Sequence, residues 1–253
     1  MKKGFSYYCY RVIRWLIWIF YSKMEVRGLE NLPQGPCVIA TNHAQMHGPI
    51  ACEIYFPGDR AIWCAGEMMH LKEVPDYAYA DFWSKKPKCI RWFYRILSFV
   101  IAPISVCLFN HAHTIGVYRD RKIIHTFRET QTALENGCRV IIFPEHDIPR
   151  NHIVHDFQEG FVDVARRYYK ATGKELPFVP MYIAPRLKTM YLGKPICFSG
   201  ENPINEERKR ICGYLMEQIT QIAEELPEHT VVPYPNISKR LYPNNKQTEG
   251  IKK

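Results

Sequence analysis

Apolar positions along the chain fall into two rhythms. Short unbroken runs, each ending in polar or turn residues, occur at Val38–Thr41, 114–118, 139–143 and 178–183. Runs of that length and continuity predict strands buried on both faces. Between them the spacing changes to that of helices. Ile123, Phe127, Thr130 and Leu134 share one face, and Asn136-Gly137 closes that helix with a residue suited to the left-handed conformation. Phe157, Phe161, Val164, Ala165 and Tyr168 mark a second helix. Ile211, Leu215, Ile219, Ile222 and Leu226 mark a third, stopped by Pro227. Strands alternating with helices predict an α/β fold, a mostly parallel sheet flanked by helices. In such sheets the working residues collect on loops beyond the carboxyl ends of the strands, where His43, Arg119 and Glu145 all fall.

Two apolar stretches stand outside this alternation. Near the N-terminus, residues 12–21 are apolar but broken at Arg14, short of the ~20 residues that a spanning helix needs. The rings of Tyr7, Tyr8, Tyr10, Trp15, Trp18 and Tyr21 are interleaved with Lys2, Lys3, Arg11, Arg14 and Lys23. That mixture predicts a helix lying in the plane of a membrane interface; packing on the protein's own core is the alternative. The stretch does not read as a secretory signal, because the arginines interrupt it and no small-residue cleavage site follows. The second stretch, 96–109, follows Arg91-Trp92-Phe93-Tyr94-Arg95 and is interrupted by Pro103. A buried core helix and a segment dipping into one leaflet both fit it. The expected organisation is an amphipathic helix over 1–24, an α/β domain over 25–233 and a poorly ordered tail over 234–253, rich in Pro, Asn and Lys.

Composition narrows the class. The 253 residues suffice for one large α/β domain with a substantial core. The formal charge of +9 suits an anionic membrane, an anionic substrate or a nucleic acid. Nucleic acid is set aside, since the longest basic stretch, Lys85-Lys86-Pro87-Lys88, is short and no recognition module is present. Nine scattered cysteines without a Cys-x-x-Cys pair argue against a disulfide framework and a zinc ribbon, and for a reducing compartment. These features together predict a peripheral or monotopic protein on the cytoplasmic face of a membrane.

The most informative chemistry is Asn42-His43, which directly follows the run Cys37-Val38-Ile39-Ala40-Thr41 and precedes a helix expected to begin at Gly48-Pro49. A histidine held by backbone at the end of a strand is placed as a general base usually is. Further blocks accompany it in order: Val26-Arg27-Gly28-Leu29-Glu30-Asn31-Leu32-Pro33, Ile115-Gly116-Val117-Tyr118-Arg119, Phe143-Pro144-Glu145 with Phe157-Gln158-Glu159-Gly160, and Val179-Pro180-Met181-Tyr182. Together they make the chain resemble the glycerolipid acyltransferases of phospholipid biosynthesis, whose best-known member is 1-acylglycerol-3-phosphate acyltransferase.

The resemblance implies transfer of an acyl chain from acyl-CoA or acyl carrier protein to a hydroxyl of a lysophospholipid-like or other glycerolipid acceptor. It makes His43 the base, with a reference pKa near 6.5 that leaves it mostly neutral at pH 7. Arg119 would bind an acceptor phosphate and Glu145 would organise that arginine, with Asn42 and His146 beside the substrate. No cofactor or metal is implied; the thioester is a substrate. The chain departs from the pattern at Gly48, where the family has the aspartate that holds the histidine ring, and at His146-Asp147-Ile148, where it has Gly-Thr-Arg. Asp147 is therefore the candidate surrogate orienter. Two other readings remain: a relative that binds lipid or membrane without catalysing transfer, and a metal hydrolase built on His43, His47, His111, His113, His146, Asp147, His152 and His155. The second is weakened because Gly48-Pro49 puts His43 and His47 ahead of the helix, so they do not share a helical face.

Overall fold

The computed structural model describes residues 4–84, 86–118 and 121–247. Lys85, Arg119 and the end of the expected tail, 248–253, lie outside the described residues. In chain order the elements begin with α1 (Phe5–Phe20), β1 (Glu25–Arg27), β2 (Val38–Thr41), α2 (His47–Tyr55), β3 (Arg60–Ala65) and α3 (Val74–Ala78). Next come α4 (Arg91–His111), β4 (Thr114–Val117), α5 (Ile123–Glu135), β5 (Arg139–Ile142), β6 (Glu145–Pro149) and β7 (His155–Phe157). The chain closes with α6 (Asp163–Thr172), β8 (Pro177–Ala184), β9 (Thr189–Leu192), β10 (Ile196–Cys197) and α7 (Ile204–Glu225).

The chain separates into two compact units, one of Met1–Ser22 with Ile62–Glu129, the other of Lys23–Ala61 with Thr130–Lys253. This differs from the expected division into a helix, one domain and a tail, because the middle of the chain has a small core of its own. Met68, Val74, Ala78 and Ala102 form that core.

In the larger unit the strand order is β1-β9-β8-β2-β5, with β10 alongside β8. Pairings β1–β9, β2–β8 and β2–β5 are parallel, while β8–β9 and β8–β10 are antiparallel. In the smaller unit β3 and β4 pair in parallel, Ile62 against Thr114 through Ala65 against Val117. The fold is thus α/β with mostly parallel strands. Every residue of β2 is buried, as a continuous apolar run in an interior strand must be. Helix α7 packs on β8 and α6 packs on α7. Ile211, Leu215, Ile219 and Ala223 form the buried stripe of α7 at helical spacing. That helix ends at Glu225, one residue before the position that Pro227 forces into extended backbone.

In the smaller unit α1 lies on α4, where Ser6 meets His111 Nε2 at 2.8 Å and accepts the Cys107 thiol on its carbonyl at 3.2 Å. Tyr10 is the one buried residue of α1, so this helix does not sit in a core; Trp15 and Trp18 are 57% and 56% exposed. Helix α4 runs unbroken through Pro103 and buries the small residues Ser98, Ala102 and Ser105. Its Trp92, Phe93, Ile96, Phe99, Val100 and Ile104 are exposed. Extended upstream to Lys88, this helix is long and apolar enough to cross a membrane, although the uncharged run 96–109 alone reads as too short.

The segment after residue 233 is not a loose tail as far as residue 247. Asn245 is 1% exposed, donates to the Ala223 carbonyl at 2.7 Å and accepts the His229 N–H at 2.8 Å. Thr230 pairs with Asn244 in an antiparallel bridge, and the Val231 N–H reaches the Pro243 carbonyl at 2.9 Å. Polar composition suggested disorder, but here asparagine side chains take the place of apolar contacts.

Candidate functional site

The site is built at the carboxyl end of β2, inside the larger unit. Asn42 follows the last strand residue and fastens the loop to β8. Its amide donates to the Ile183 carbonyl at 3.1 Å and accepts the Ile183 N–H at 2.7 Å. Both ends of the amide are so used and the residue is 2% exposed. Asn42 therefore holds the loop; the substrate-facing role expected of it does not fit this geometry.

His43 comes next, half-buried. Its main-chain N–H donates to Glu145 Oε2 at 2.5 Å, and the other carboxylate oxygen accepts the His155 N–H at 2.9 Å. One side chain thus ties the loop after β2 to both strands of the β6–β7 hairpin. The Glu145 carboxyl is 3% exposed, and burial pushes its pKa up to about 7 against those two donors, which favour the charged form. The His43 ring lies 5.0 Å from the Phe143 ring and 5.9 Å from that of Tyr234, edge to face with the latter.

The ring's orientation comes from the main chain. His43 Nδ1 is 2.7 Å from the Gln45 carbonyl oxygen. A carbonyl only accepts, so Nδ1 carries the proton and the neutral imidazole has its lone pair on Nε2. That is the tautomer a general base at Nε2 needs. The carbonyl reaches back because Ala44 and Gln45 both adopt left-handed backbone, with φ of 46° and 53°. Neither is glycine, and such conformations cost of order 1–3 kcal/mol each unless the surroundings enforce them. The Gln45 side chain supplies the enforcement: its amide donates to the Pro235 carbonyl at 3.1 Å and accepts the Tyr242 hydroxyl at 3.0 Å.

Gly48 lies under this turn as the second residue of α2, not as its cap, since the helix begins at His47. A Cβ at position 48 would stand 2.3 Å from the His43 carbonyl oxygen and 2.8 Å from the Phe143 ring. The backbone here has no room for an aspartate.

Asp147, the expected surrogate, sits exposed on β6 and makes no hydrogen bond or ion pair with His43. The orienting contact belongs to the Gln45 carbonyl instead. His146 contributes its own carbonyl, which accepts from His155 Nδ1 at 2.9 Å. Among the described residues no group of three or more His, Cys, Asp or Glu side chains is placed to hold a metal ion. The residues that sequence reasoning missed are Gln45, Tyr234 and Tyr242. The signal available was weak: two tyrosines next to prolines in a stretch otherwise polar enough to look unstructured.

No protein-family model matches the chain, and no curated protein matches it. Among solved structures it is similar to the crystal structure of the 1-acyl-sn-glycerophosphate (LPA) acyltransferase PlsC from Thermotoga maritima. The two share 16% identity at a TM-score of 0.48, over 88% of this chain and 83% of that one.

Proposed function

We propose that this chain is a membrane-associated acyltransferase that moves an acyl group from a thioester, acyl-CoA or acyl carrier protein, to a hydroxyl of a glycerolipid acceptor. The observation that carries the reading is the imidazole of His43, held at the end of an interior strand with its proton on Nδ1. It stands among sequence blocks that resemble those of the glycerolipid acyltransferases.

In the proposed reaction His43 Nε2 takes the acceptor's hydroxyl proton as the oxygen attacks the thioester carbonyl carbon. The C–O bond forms, the C–S bond breaks, and the departing thiolate takes its proton from the imidazolium. The imidazolium is then supported by the Gln45 carbonyl dipole where the family has a carboxylate. A dipole stabilises a cation less than a full charge does, so turnover should lie below that of a His–Asp pair. Glu145 holds the loop by its main chain, and Arg119 is the proposed ligand of an anionic acceptor group. The exposed apolar faces of α1 and α4 favour attachment to a lipid surface, and the free cysteines favour its cytoplasmic side.

The rival reading, a scaffold that binds lipid or membrane without catalysing transfer, draws on the missing room for a carboxylate at Gly48. The deciding assay is acceptor-dependent release of free thiol from a long-chain acyl-CoA, with a panel of lysolipids. His43→Ala should lower the rate on the order of 10²–10⁴-fold, the usual worth of a positioned base. Absence of release from the wild-type chain with every acceptor, alongside intact vesicle binding, would favour the scaffold.

A further inference from the structure

We infer that the segment 234–245 is a strap that sets the protonation geometry of the proposed base, with Gln45 and Tyr242 as positioning residues. The inference rests on the reading of His43 as that base, but its central claim concerns a proton and can be tested without turnover.

The argument starts from the turn. Two successive non-glycine residues, Ala44 and Gln45, hold left-handed backbone, and in that arrangement the Gln45 carbonyl meets His43 Nδ1. The Gln45 side chain makes two hydrogen bonds, both to the strap, through the Pro235 carbonyl and the Tyr242 hydroxyl. The strap is itself anchored. Asn245 donates to the Ala223 carbonyl at the end of α7 and accepts from the His229 main chain, and Thr230 bridges Asn244. It also leans on the site directly, since the Tyr234 ring lies edge to face with His43 and 5.6 Å from the ring of His155. A rigid anchor therefore reaches the base through one side chain and one carbonyl. Release of the Gln45 side chain would let the turn relax to right-handed backbone, carrying the carbonyl away from Nδ1. The imidazole would then be free to place its proton on either nitrogen.

The experiment is a long-range ¹H–¹⁵N spectrum of the histidine rings in the full chain in detergent micelles, for wild type, Tyr242→Phe and Gln45→Ala. His43→Ala serves to assign the signal. Wild type is expected to show the Nδ1–H form at neutral pH. Both other variants should shift His43 toward a tautomer mixture, though neither removes the carbonyl itself. In the thiol-release assay each should lower kcat about tenfold or more with KM nearly unchanged. The ~10⁴-fold cost of a wrong tautomer in a serine-protease triad is the upper bound. If the wild-type ring carries its proton on Nε2, the inference fails. It also fails if both variants keep the wild-type spectrum, whatever they do to the melting temperature, for a merely structural strap would alter stability alone. A wild-type chain that transfers no acyl group would defeat the proposed function, and the spectra would still decide the strap.

Discussion

At position 48 sterics decide what chemistry is possible. With a Cβ 2.3 Å from the His43 carbonyl oxygen, even Gly48→Ala should destabilise the chain by about 2 kcal/mol, within the usual range for overpacking. Gly48→Asp, which introduces the aspartate of the acyltransferases that the sequence resembles, should cost more and fail to raise the proposed activity. Chemical denaturation beside the thiol-release assay checks both; a folded, more active Gly48→Asp would refute the account. The same residues show what could be read in advance. The place of Asn42-His43 between a strand and a helix was legible because a strand, a turn and a helix start leave a local signature. Gln45 was not, because its contribution is a carbonyl, which every residue has, aimed by a left-handed turn that no residue type announces. The charge of Asp147 is legible in the sequence, whereas its place on an exposed hairpin strand is not.

Among the elements, four strands were legible in the sequence, while β3 and the largely buried β9 were not. The run at Val38–Thr41 coincides with β2, and those at 114–118, 139–143 and 178–183 overlap β4, β5 and β8 to within a residue at each end. Strands β1 and β6 escaped because Glu25-Val26-Arg27 and Glu145-His146-Asp147 are mostly polar, with no apolar run. The helix expected from Phe157 onward begins only at Asp163, since Phe157 belongs to β7 and a 3₁₀ turn intervenes. Helix α4 spans 21 residues, roughly 30 Å, about the thickness of a hydrocarbon core. With α1 it presents aromatic and aliphatic side chains that the smaller unit does not cover. At about 1.5 kcal/mol per large apolar side chain withdrawn from water, Trp15→Asp with Trp18→Asp should weaken partitioning into anionic vesicles on the order of a hundredfold. Vesicle co-sedimentation measures this, and unaltered binding would exclude α1 as the docking element.

For the whole molecule, Glu145 links the site to the pH dependence of folding. Its pKa rises from 4.5 to about 7 in the folded state, so between those values the folded chain binds more protons than the unfolded one. The stability it contributes is complete below about pH 4.5 and is lost as pH rises through about 7. Unfolding free energies measured from pH 5 to 8 should fall more for wild type than for Glu145→Gln, which has no proton to release; parallel curves would show that burial does not govern this group. The contact between Tyr242 and Gln45 spans 197 positions. In the order of synthesis those two residues emerge on the order of tens of seconds apart, at ~5–20 residues per second. The loop carrying His43 is therefore made well before the strap that gives it its final shape. A nascent chain would carry the histidine without the strap that orients it until Tyr242 has been made, and only then could the site be organised.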